Sequence, residues 1–239
     1  MTNDLAPTRH RGSYGIDAPA LLAVPAAAVL GTLWQVIVTN SAWPLIGVAL
    51  ILACVGLSVH ASRRGKFVVW DKLLGFLHGD ERLLDLGCGR GAVLMTAARR
   101  LPYGRAVGVD LWRARDQSGN SPEATRRNAV LEGVAGRVEV ETGDLLDLPL
   151  PDASFDVVVS MTALHSVGRE RAGQAIEEAV RVLRPGGRLL IADIRFTRRY
   201  EEHLRELGMR DVTRHSLGWR LWWSGPWLRS VLVTATSPA

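Results

Sequence analysis

A glycine-rich turn between Leu83 and Gly91 carries the densest chemical pattern in the sequence. The segment reads LLDLGCGRG, with Asp85 two residues before the first glycine. Glycines let a backbone turn sharply and come close to a ligand, and the start of a following helix offers free N–H groups. The turn therefore predicts a nucleotide-binding site where a strand passes into a helix.

From the residues alone, this turn fits two kinds of cofactor. Gly87 and Gly89 match the dinucleotide pattern G-x-G-x-x-A, and Asp110 lies about 20 residues later, where a ribose-binding acid belongs. The carboxylate of Asp85 would oppose a pyrophosphate, but it suits a ligand with a cationic amino-acid end. Asp144 follows a third predicted strand and can accept a hydrogen bond from an adenine amino group. These acids favour another adenosine ligand over NAD, which stays an alternative.

Two side chains are candidates for the chemical step. His165 follows the fourth predicted strand and has a suitable unperturbed pKa for a general base, although it could instead pack under the cofactor. Asp116 belongs to the polar loop 113–120, which either forms part of an acceptor pocket or is a solvated connection. Asp193 and Arg195 end the fifth strand and could orient a substrate or pair with each other.

Alternating strands and helices must position these residues. Short β-branched runs predict strands at Arg82–Leu86, Ala106–Asp110, Arg137–Thr142, Phe155–Ser160, Arg188–Ile194, Asp211–His215 and Ser230–Thr236. Helical patterns predict helices at Ala92–Arg100, Ser121–Glu132, Gly168–Leu183 and near Arg198–Leu207, and the tripeptide 185–187 (PGG) is expected to end the third of them. Apolar strands separated by helices indicate a parallel sheet covered on both faces, which binds ligands beyond the carboxyl ends of its strands.

A run from Ala18 to Ser62 contains no charged residue, although 22% of the chain is charged. It splits at Thr39–Ser41 into two apolar stretches, about Ala18–Val38 and Ala42–Val59, each close to the length that spans the ~30 Å hydrocarbon core. The run therefore predicts a two-helix transmembrane hairpin at 18–62. A hairpin inserted into one leaflet is the alternative.

Basic residues flank the hairpin on both sides and predict its orientation. Arg9 and Arg11 precede it, whereas Arg63, Arg64 and Lys66 follow it, and the connecting turn is uncharged. The positive-inside bias then predicts that both termini, and with them the domain after the hairpin, lie in the cytoplasm. The chain is thus divided into an N-terminal segment at 1–17, the hairpin, and a domain at 66–239.

Two aromatic features each allow two interpretations. Tyr14, just before the hairpin, is either an anchor at the membrane interface or, together with Asp17, a cover for the active site. The tract from Trp219 to Trp227 holds four tryptophans, which either pack in the core or form a surface against lipid or an apolar entrance.

Composition excludes several classes of protein and site. The charge density and apolar content exclude a disordered chain, and two cysteines exclude a disulfide scaffold. The six histidines lack ligand-like spacing, so no metal site is predicted. The formal net charge is +5. Residues 1–66 contribute three of these charges, with five basic and two acidic residues, so the sequence favours a membrane surface over nucleic acid as the partner.

Residues 67–239 resemble the class I S-adenosylmethionine-dependent methyltransferases, particularly the broad group that includes quinone C-methyltransferases. The matching segments, in the order of the family, are LLDLGCGRG, AVGVDLW, VEVETGDLLDLPLPDASFDVVVSMTALHSV and RVLRPGGRLLIADI. The resemblance implies a Rossmann-like α/β fold with a seven-stranded, mostly parallel sheet whose last strand is antiparallel. It also implies S-adenosyl-L-methionine as cofactor.

The resemblance also implies roles for individual residues. It assigns Asp85 and the glycine turn to the methionine portion of the cofactor, Asp110 to the ribose hydroxyls and Asp144 to the adenine amino group, with Leu111 and Leu145 beside the adenine. The complete predicted set of cofactor-binding residues is Asp85, Gly87, Cys88, Gly89, Gly91, Asp110, Leu111, Asp144, Leu145 and Ser160. His165 and Asp116 are the catalytic candidates.

We therefore expect a membrane-anchored methyltransferase that acts on a small-molecule acceptor, for which an amphiphilic, lipid-like molecule is favoured by the hairpin. A membrane module that binds S-adenosylmethionine without catalysis, as a sensor or scaffold, is one alternative. An NAD-linked oxidoreductase is the other. The acceptor, the methylated atom and the oligomeric state are not specified by the sequence.

Overall fold

The computed structural model describes residues 10–17, 23–113 and 116–239. Residues 1–9 of the predicted N-terminal segment, which include Arg9, lie outside the described residues, as do 18–22 of the first predicted helix and Arg115 of the polar loop.

A seven-stranded mixed sheet forms the centre of the fold. Its strands are β1 (Arg82–Leu86), β2 (Arg105–Asp110), β3 (Val138–Thr142), β4 (Phe155–Met161), β5 (Leu183–Asp193), β6 (Arg210–Ser216) and β7 (Val231–Thr236). The strand order is β3-β2-β1-β4-β5-β7-β6. Strand β7 runs antiparallel to both of its neighbours, whereas the other pairs are parallel. The predicted mixed sheet with an antiparallel last strand is therefore confirmed.

One boundary differs from the prediction at the tripeptide PGG. The third helix of the domain ends at Arg181, and β5 already begins at Leu183. The register with β4 shifts between the pairs Phe155–Leu183 and Val157–Arg188, so residues 184–187 form a bulge in the strand. The two glycines therefore lie in the bulge, where Gly186 has a φ of +73°, and they do not end the helix.

Helices cover both faces of the sheet. They are α3 (Lys66–Leu73), α4 (Ala92–Arg99), α5 (Pro122–Leu131), α6 (Ala172–Arg181) and α7 (Thr197–Glu206), preceded by α1 (Ala23–Thr39) and α2 (Pro44–His60). Successive strand residues point to opposite faces, so Leu83 joins the core under α3 and α4, whereas Leu84 joins the core under α6 and α7. This arrangement leaves the carboxyl ends of the parallel strands free for a ligand.

The second apolar helix runs without a break into the domain. Helix α2 continues through a π-helical turn at Ala61–Gly65 into α3 and ends in a 3-10 turn, giving one helix over Pro44–Phe76. Among the described residues this is the helix that is long and apolar enough to cross a membrane, and α1 forms a shorter apolar helix. The two-span hairpin stays a prediction. The junction between the apolar run and the domain is itself helical.

Candidate functional site

The glycine loop follows β1 directly and lies against the end of β2. The N–H groups of Gly87 and Cys88 donate to the carbonyl of Val109 at 2.8 and 3.1 Å. Gly87 and Gly89 have φ of +70° and +51°, which favour glycine. A Cβ on Gly87 would lie 2.2 Å from the Cβ of Ala163. The loop is therefore built as a close-fitting backbone cradle at the carboxyl end of the sheet.

Asp85 supplies an unusual carboxylate beneath this cradle. Its side chain is 1% exposed, and its Oδ2 atom has no hydrogen-bond partner among the described residues. Burial raises the pKa of Asp85 to about 8, and the nearby charge of Asp110 adds to the rise. A buried carboxylate that lacks a partner is costly unless a ligand supplies one. The site therefore fits a ligand that brings a cationic group to Asp85.

Asp110, at the end of β2, lines the cavity and also holds the glycine loop. Its Oδ2 accepts from the N–H of Gly89 at 2.8 Å, and its Oδ1 accepts from the N–H of Trp112 at 2.6 Å. Burial raises the pKa of Asp110, although these hydrogen bonds act in the opposite direction. The Nδ2 group of Asn120 also donates to Oδ1 at 3.3 Å, whereas Oδ2 keeps a second acceptor site for a hydroxyl group of a ligand.

Three further predicted residues lie on the same side of the cavity. Asp144 follows β3, and its Oδ1 accepts from the N–H of Leu146 at 3.1 Å. Leu145 is buried, whereas Leu111 is 38% exposed at the rim. All three predicted residues line the cavity, so a flat apolar group between the two leucines would have Asp144 at its edge.

Two members of the predicted cofactor set have structural roles, and a third lines the cavity. Ser160 is buried within β4, does not line the cavity, and donates to the carbonyl of Leu86 at 2.9 Å. Gly91 precedes α4 with φ +81° and accepts from the N–H of Met95, also away from the cavity. Cys88 lines the cavity, but burial raises the pKa of its thiol well above the usual range. The predicted contact of Ser160 and Gly91 with the cofactor stays a prediction, and neither residue lines the cavity.

His165 forms a hydrogen-bonded pair with Asp193, which lies at the end of β5. The Nδ1 atom of His165 is 2.6 Å from Oδ1 of Asp193, and its backbone N–H donates to Oδ2 at 3.0 Å. Asp193 is fully buried and also accepts from the hydroxyl of Tyr200 at 3.4 Å. Burial alone lowers the pKa of His165, but the hydrogen bond and the charge of Asp193 outweigh it, so the pKa is raised.

Asp193 thus pairs with His165, whereas the sequence leaves open whether it orients a substrate or pairs with Arg195. His165 lines the cavity with its side chain 25% exposed, so it can reach a ligand while Asp193 fixes its ring. Asp116 lines the same cavity, and its charge contributes to the raised pKa of His165. The structure therefore brings both catalytic candidates to the cavity.

An N-terminal strap, residues 10–17, crosses the site. Its Tyr14 is 7% exposed and donates to Oε1 of Glu132 at 2.8 Å. The ring of Tyr14 packs against Phe67 with centroids 4.9 Å apart. Tyr14 is therefore buried in the domain, and the interpretation as a membrane-interface anchor is wrong.

Asp17 ends the strap and joins it to the glycine loop. Its carboxylate accepts from Nζ of Lys66 at 2.9 Å and from Nε2 of Gln117 at 2.7 Å. The Oε1 atom of Gln117 accepts from the N–H of Arg90, in the glycine loop, at 2.7 Å. Lys66 is 3% exposed, so it is not a flank charge available to a membrane surface, whereas Arg63 beside it is exposed.

Sequence reasoning missed this network because Lys66 and Asp17 are far apart in the chain, and Lys66 resembled an ordinary basic flank. The available signal is that opposite charges lie on the two sides of the apolar run, Asp17 before it and Lys66 after it. The two charges pair with each other, although the sequence favours a membrane surface as the partner of the basic flank.

The tryptophan tract lies against the end of α2. Trp219 is 49% exposed and stacks on His60 with ring centroids 5.0 Å apart, and Trp227 is 73% exposed. Trp223 lines the cavity, and its Nε1 donates to Oγ of Ser230 at 2.9 Å. Ser58 of α2 donates to the carbonyl of Trp223. The tract therefore combines an exposed aromatic edge with one wall of the cavity.

A single cavity of about 780 Å³ joins these features. At one end lie the glycine loop and the acids, in the middle lies His165, and at the other end lie apolar residues of α1 and α2. This size falls within the range of cofactor and ligand sites. No group of histidine, cysteine or acidic residues suited to a metal ion occurs within the described part of the chain.

Comparisons with known proteins agree with the geometry. The family described as "Methyltransferase domain" matches residues 84–191. The 27-O-demethylrifamycin SV methyltransferase of Amycolatopsis mediterranei is 38% identical over 127 residues, covering 52% of this chain and 43% of that protein. The ubiquinone/menaquinone biosynthesis C-methyltransferase UbiE of Roseobacter denitrificans is 34% identical over 113 residues, covering 47% of this chain and 42% of that protein. The chain thus spans less than half the length of these curated relatives.

Solved structures show the same fold. A SAM-dependent methyltransferase from Aquifex aeolicus has a TM-score of 0.57 at 19% identity, covering 75% of this chain and 92% of that chain. Geranyl diphosphate methyltransferase in complex with SAM has a TM-score of 0.57 at 18% identity, covering 74% of this chain and 86% of that chain. Residues 84–191 therefore match a methyltransferase domain, and the fold around them is the one that these S-adenosylmethionine-dependent methyltransferases share.

Proposed function

We propose that this protein is a membrane-anchored methyltransferase that methylates an amphiphilic small molecule, with its catalytic domain on the cytoplasmic side. The observation that carries the proposal is the single cavity, which runs from the glycine loop to the apolar helices α1 and α2. A polar head near His165 and an apolar body beside the helices would fill it.

The residues at the closed end of the cavity would hold the methyl donor. Asp85 would pair with the ammonium group of its methionine end, Asp110 would bind its ribose hydroxyls, and Asp144 would accept from its adenine amino group. When bound, S-adenosylmethionine supplies an electrophilic methyl group on a sulfonium. The chain itself contributes mainly the alignment of donor and acceptor, which is a large share of the rate in a displacement reaction.

His165 would act as the general base where the acceptor must lose a proton. Its Nδ1 faces Asp193, so Nε2 is the nitrogen that can take a proton from the acceptor. Asp193 would hold the ring in this orientation and stabilise the imidazolium that forms. Asp116 would act on the acceptor side, where it adds negative charge opposite His165.

The surfaces of α1 and α2 support the membrane part of the proposal. None of the residues of α2 is buried, and apolar side chains such as Leu30, Ile37 and Leu50 are 69%, 73% and 63% exposed. An apolar surface of this extent is unusual for a protein in water and is typical of contact with lipid.

Tryptophans lie at both ends of the helices. Trp34 and Trp43 are exposed near the connecting turn, and Trp219 is exposed beside His60 at the other end. The helix from Pro44 to His60 rises about 26 Å, close to the ~30 Å hydrocarbon thickness. Aromatic residues at both levels match the belts seen at the two membrane interfaces.

The relatives are consistent with such an acceptor. Two of them are named for ubiquinone/menaquinone biosynthesis and for geranyl diphosphate, molecules that join a polar head to an apolar chain. Of the two alternatives, an NAD-linked enzyme is disfavoured because the buried carboxylate of Asp85 would face a pyrophosphate. A sensor that binds S-adenosylmethionine without catalysis would transfer no methyl group, so a turnover assay distinguishes it from the proposed enzyme.

The test uses the full chain reconstituted in lipid vesicles with S-adenosylmethionine labelled in its methyl group and a lipid extract from the organism that encodes it. We expect label in the organic phase, and at least a tenfold lower rate for Asp85→Asn. Calorimetric titration with S-adenosylhomocysteine and with NADH is run beside it. Tight NADH binding without binding of the homocysteine compound, or cofactor binding with no methyl transfer, would reject the proposal.

A further inference from the structure

The cavity extends from the cofactor residues along one face of α2. Six residues of that helix line it: Leu50, Ile51, Cys54, Val55, Ser58 and Val59. These positions repeat at the spacing of one helical face, and the intervening residues Leu52 and Ala53 are exposed on the other side. From α1, Pro25 and Ala28 line the same part of the cavity. This apolar arm is thus walled by both helices of the hairpin.

We propose that the apolar arm is a channel for the hydrocarbon chain of the acceptor, which enters sideways from the bilayer between α1 and α2. This inference rests on the proposed function and assigns the hairpin a second task, because its helices form the acceptor site as well as the anchor. The acceptor class is then an amphiphile that carries a long apolar chain beside a methylatable head.

The opening of the channel lies at the depth expected for lateral entry. Leu50 lines the arm and is also 63% exposed, so the arm reaches the outer surface of the helices there. Leu50 is ten residues from His60, or about 15 Å along the helix, which is half of the ~30 Å hydrocarbon core. A chain could therefore pass from the bilayer interior into the arm without crossing water.

The inner end of the channel is fixed to the catalytic domain. Ser58 donates to the carbonyl of Trp223, and the indole N–H of Trp223 donates to Ser230. Trp223 and Leu228 line the cavity opposite α2. These bonds fix the cavity wall relative to the sheet. A hydrocarbon chain that lies along Leu50–Val59, a length of about 14 Å, would then place its head group near His165.

The occupant is the acceptor and not a structural lipid, because the arm opens into the cofactor cradle. Asp85, Gly87 and His165 line the same cavity as Val55 and Val59. A membrane lipid held permanently in the arm would put its end against the site of methyl transfer and block it. Exchange of the chain with the bilayer is therefore required for turnover.

The channel is tested by photolabelling the full chain in phosphatidylcholine vesicles with 1-decanol that carries a terminal diazirine. We expect saturable labelling of Ile51, Cys54 and Val55, displaced by unlabelled decanol, and at least a tenfold loss of it in Val55→Trp. Leu52→Trp, on the exposed face of the same helix, is the matched control and should keep the labelling. Unsaturable labelling that is equal on Leu52 and Val55 would overturn the proposal, as would inner-face labelling that decanol fails to displace.

Methyl transfer to the lipid extract separates this inference from the proposed function. We expect Val55→Trp to lose transfer at least tenfold while its affinity for S-adenosylhomocysteine is unchanged, and Leu52→Trp to retain both. If both variants keep full transfer, the channel is wrong and the methyltransferase proposal stands. If the wild type transfers nothing, the proposed function fails, and the photolabelling still decides whether the channel exists.

Discussion

Asp85 makes the affinity for the cofactor depend on pH in a way that can be calculated. Burial raises its pKa to about 8, so at pH 7 only about one molecule in eleven carries the carboxylate before the ligand binds. If the ligand ammonium requires the carboxylate, binding at pH 7 costs about 1.4 kcal/mol for removing the proton. The cost shrinks as the pH rises towards 8, so the affinity must increase with pH. Between pH 6 and 7.5 the charged fraction, and with it the affinity for S-adenosylhomocysteine, should rise about 25-fold.

Isothermal titration calorimetry with S-adenosylhomocysteine measures both the affinity and the protons exchanged. In two buffers of different ionisation enthalpy at pH 7, we expect about 0.9 protons released for each ligand bound. Asp85→Asn should abolish the release and the pH dependence, and it should weaken binding at pH 7 by about 1 to 3 kcal/mol, because a buried charged partner is lost. His165→Gln is the control for the other titrating group in the cavity and should keep the release. A wild-type affinity that is constant from pH 6 to 7.5 would refute the reasoning.

Four further variants have expected outcomes. His165→Gln should lower the rate of methyl transfer by about 10²- to 10⁴-fold for an acceptor that must lose a proton. Asp193→Asn should move the acidic limb of the pH–rate profile to lower pH, because the charge that raises the pKa of His165 is gone. An unmoved limb would show that Asp193 has a structural role only. Lys66→Met should destabilise the domain by about 3 kcal/mol in thermal unfolding, since it leaves Asp17 without its cation in a mostly buried site, and a loss below about 1 kcal/mol would show that the pair is not a stabilising contact. Ser160→Ala should cost about 1 kcal/mol of stability through its lost hydrogen bond to the backbone and leave cofactor affinity unchanged. A large loss of affinity would show instead that Ser160 contacts the cofactor, as the sequence predicts.

The parts of the site whose location in the fold follows from the sequence are those set by local patterns. A strand followed by a glycine turn places Asp85 and Gly87 at the carboxyl end of the sheet, because this pattern depends only on neighbouring residues. Asp110 and Asp144 follow neighbouring parallel strands, which end at the same edge, and the structure places both at the cavity.

The contacts that the sequence does not predict depend on register and on distant partners. Ser160 lies one residue before the end of β4, and its side chain faces β1, which no periodicity argument resolves. Asp193 pairs with His165 because β4 and β5 are neighbours, while Arg195, two residues away, was the nearer candidate in sequence. Opposite charges attract over any sequence separation, so only the fold decides which pair meets.

The apolar helices and the catalytic domain are best regarded as one folding unit. Helix α2 passes into α3 without a break, and α3 contributes Trp70, which is fully buried in the core and whose indole N–H points to Sδ of Met161 at 3.0 Å. The face of α2 that carries Leu50 and Val55 lines the cavity to which His165 also belongs. A rigid helix that is fixed at one end in the core cannot tilt in the bilayer without moving the cavity wall. If α1 and α2 span the bilayer as proposed, the same residues that shape the proposed acceptor site would also set the position of the domain relative to the membrane, which a flexible tether would not achieve.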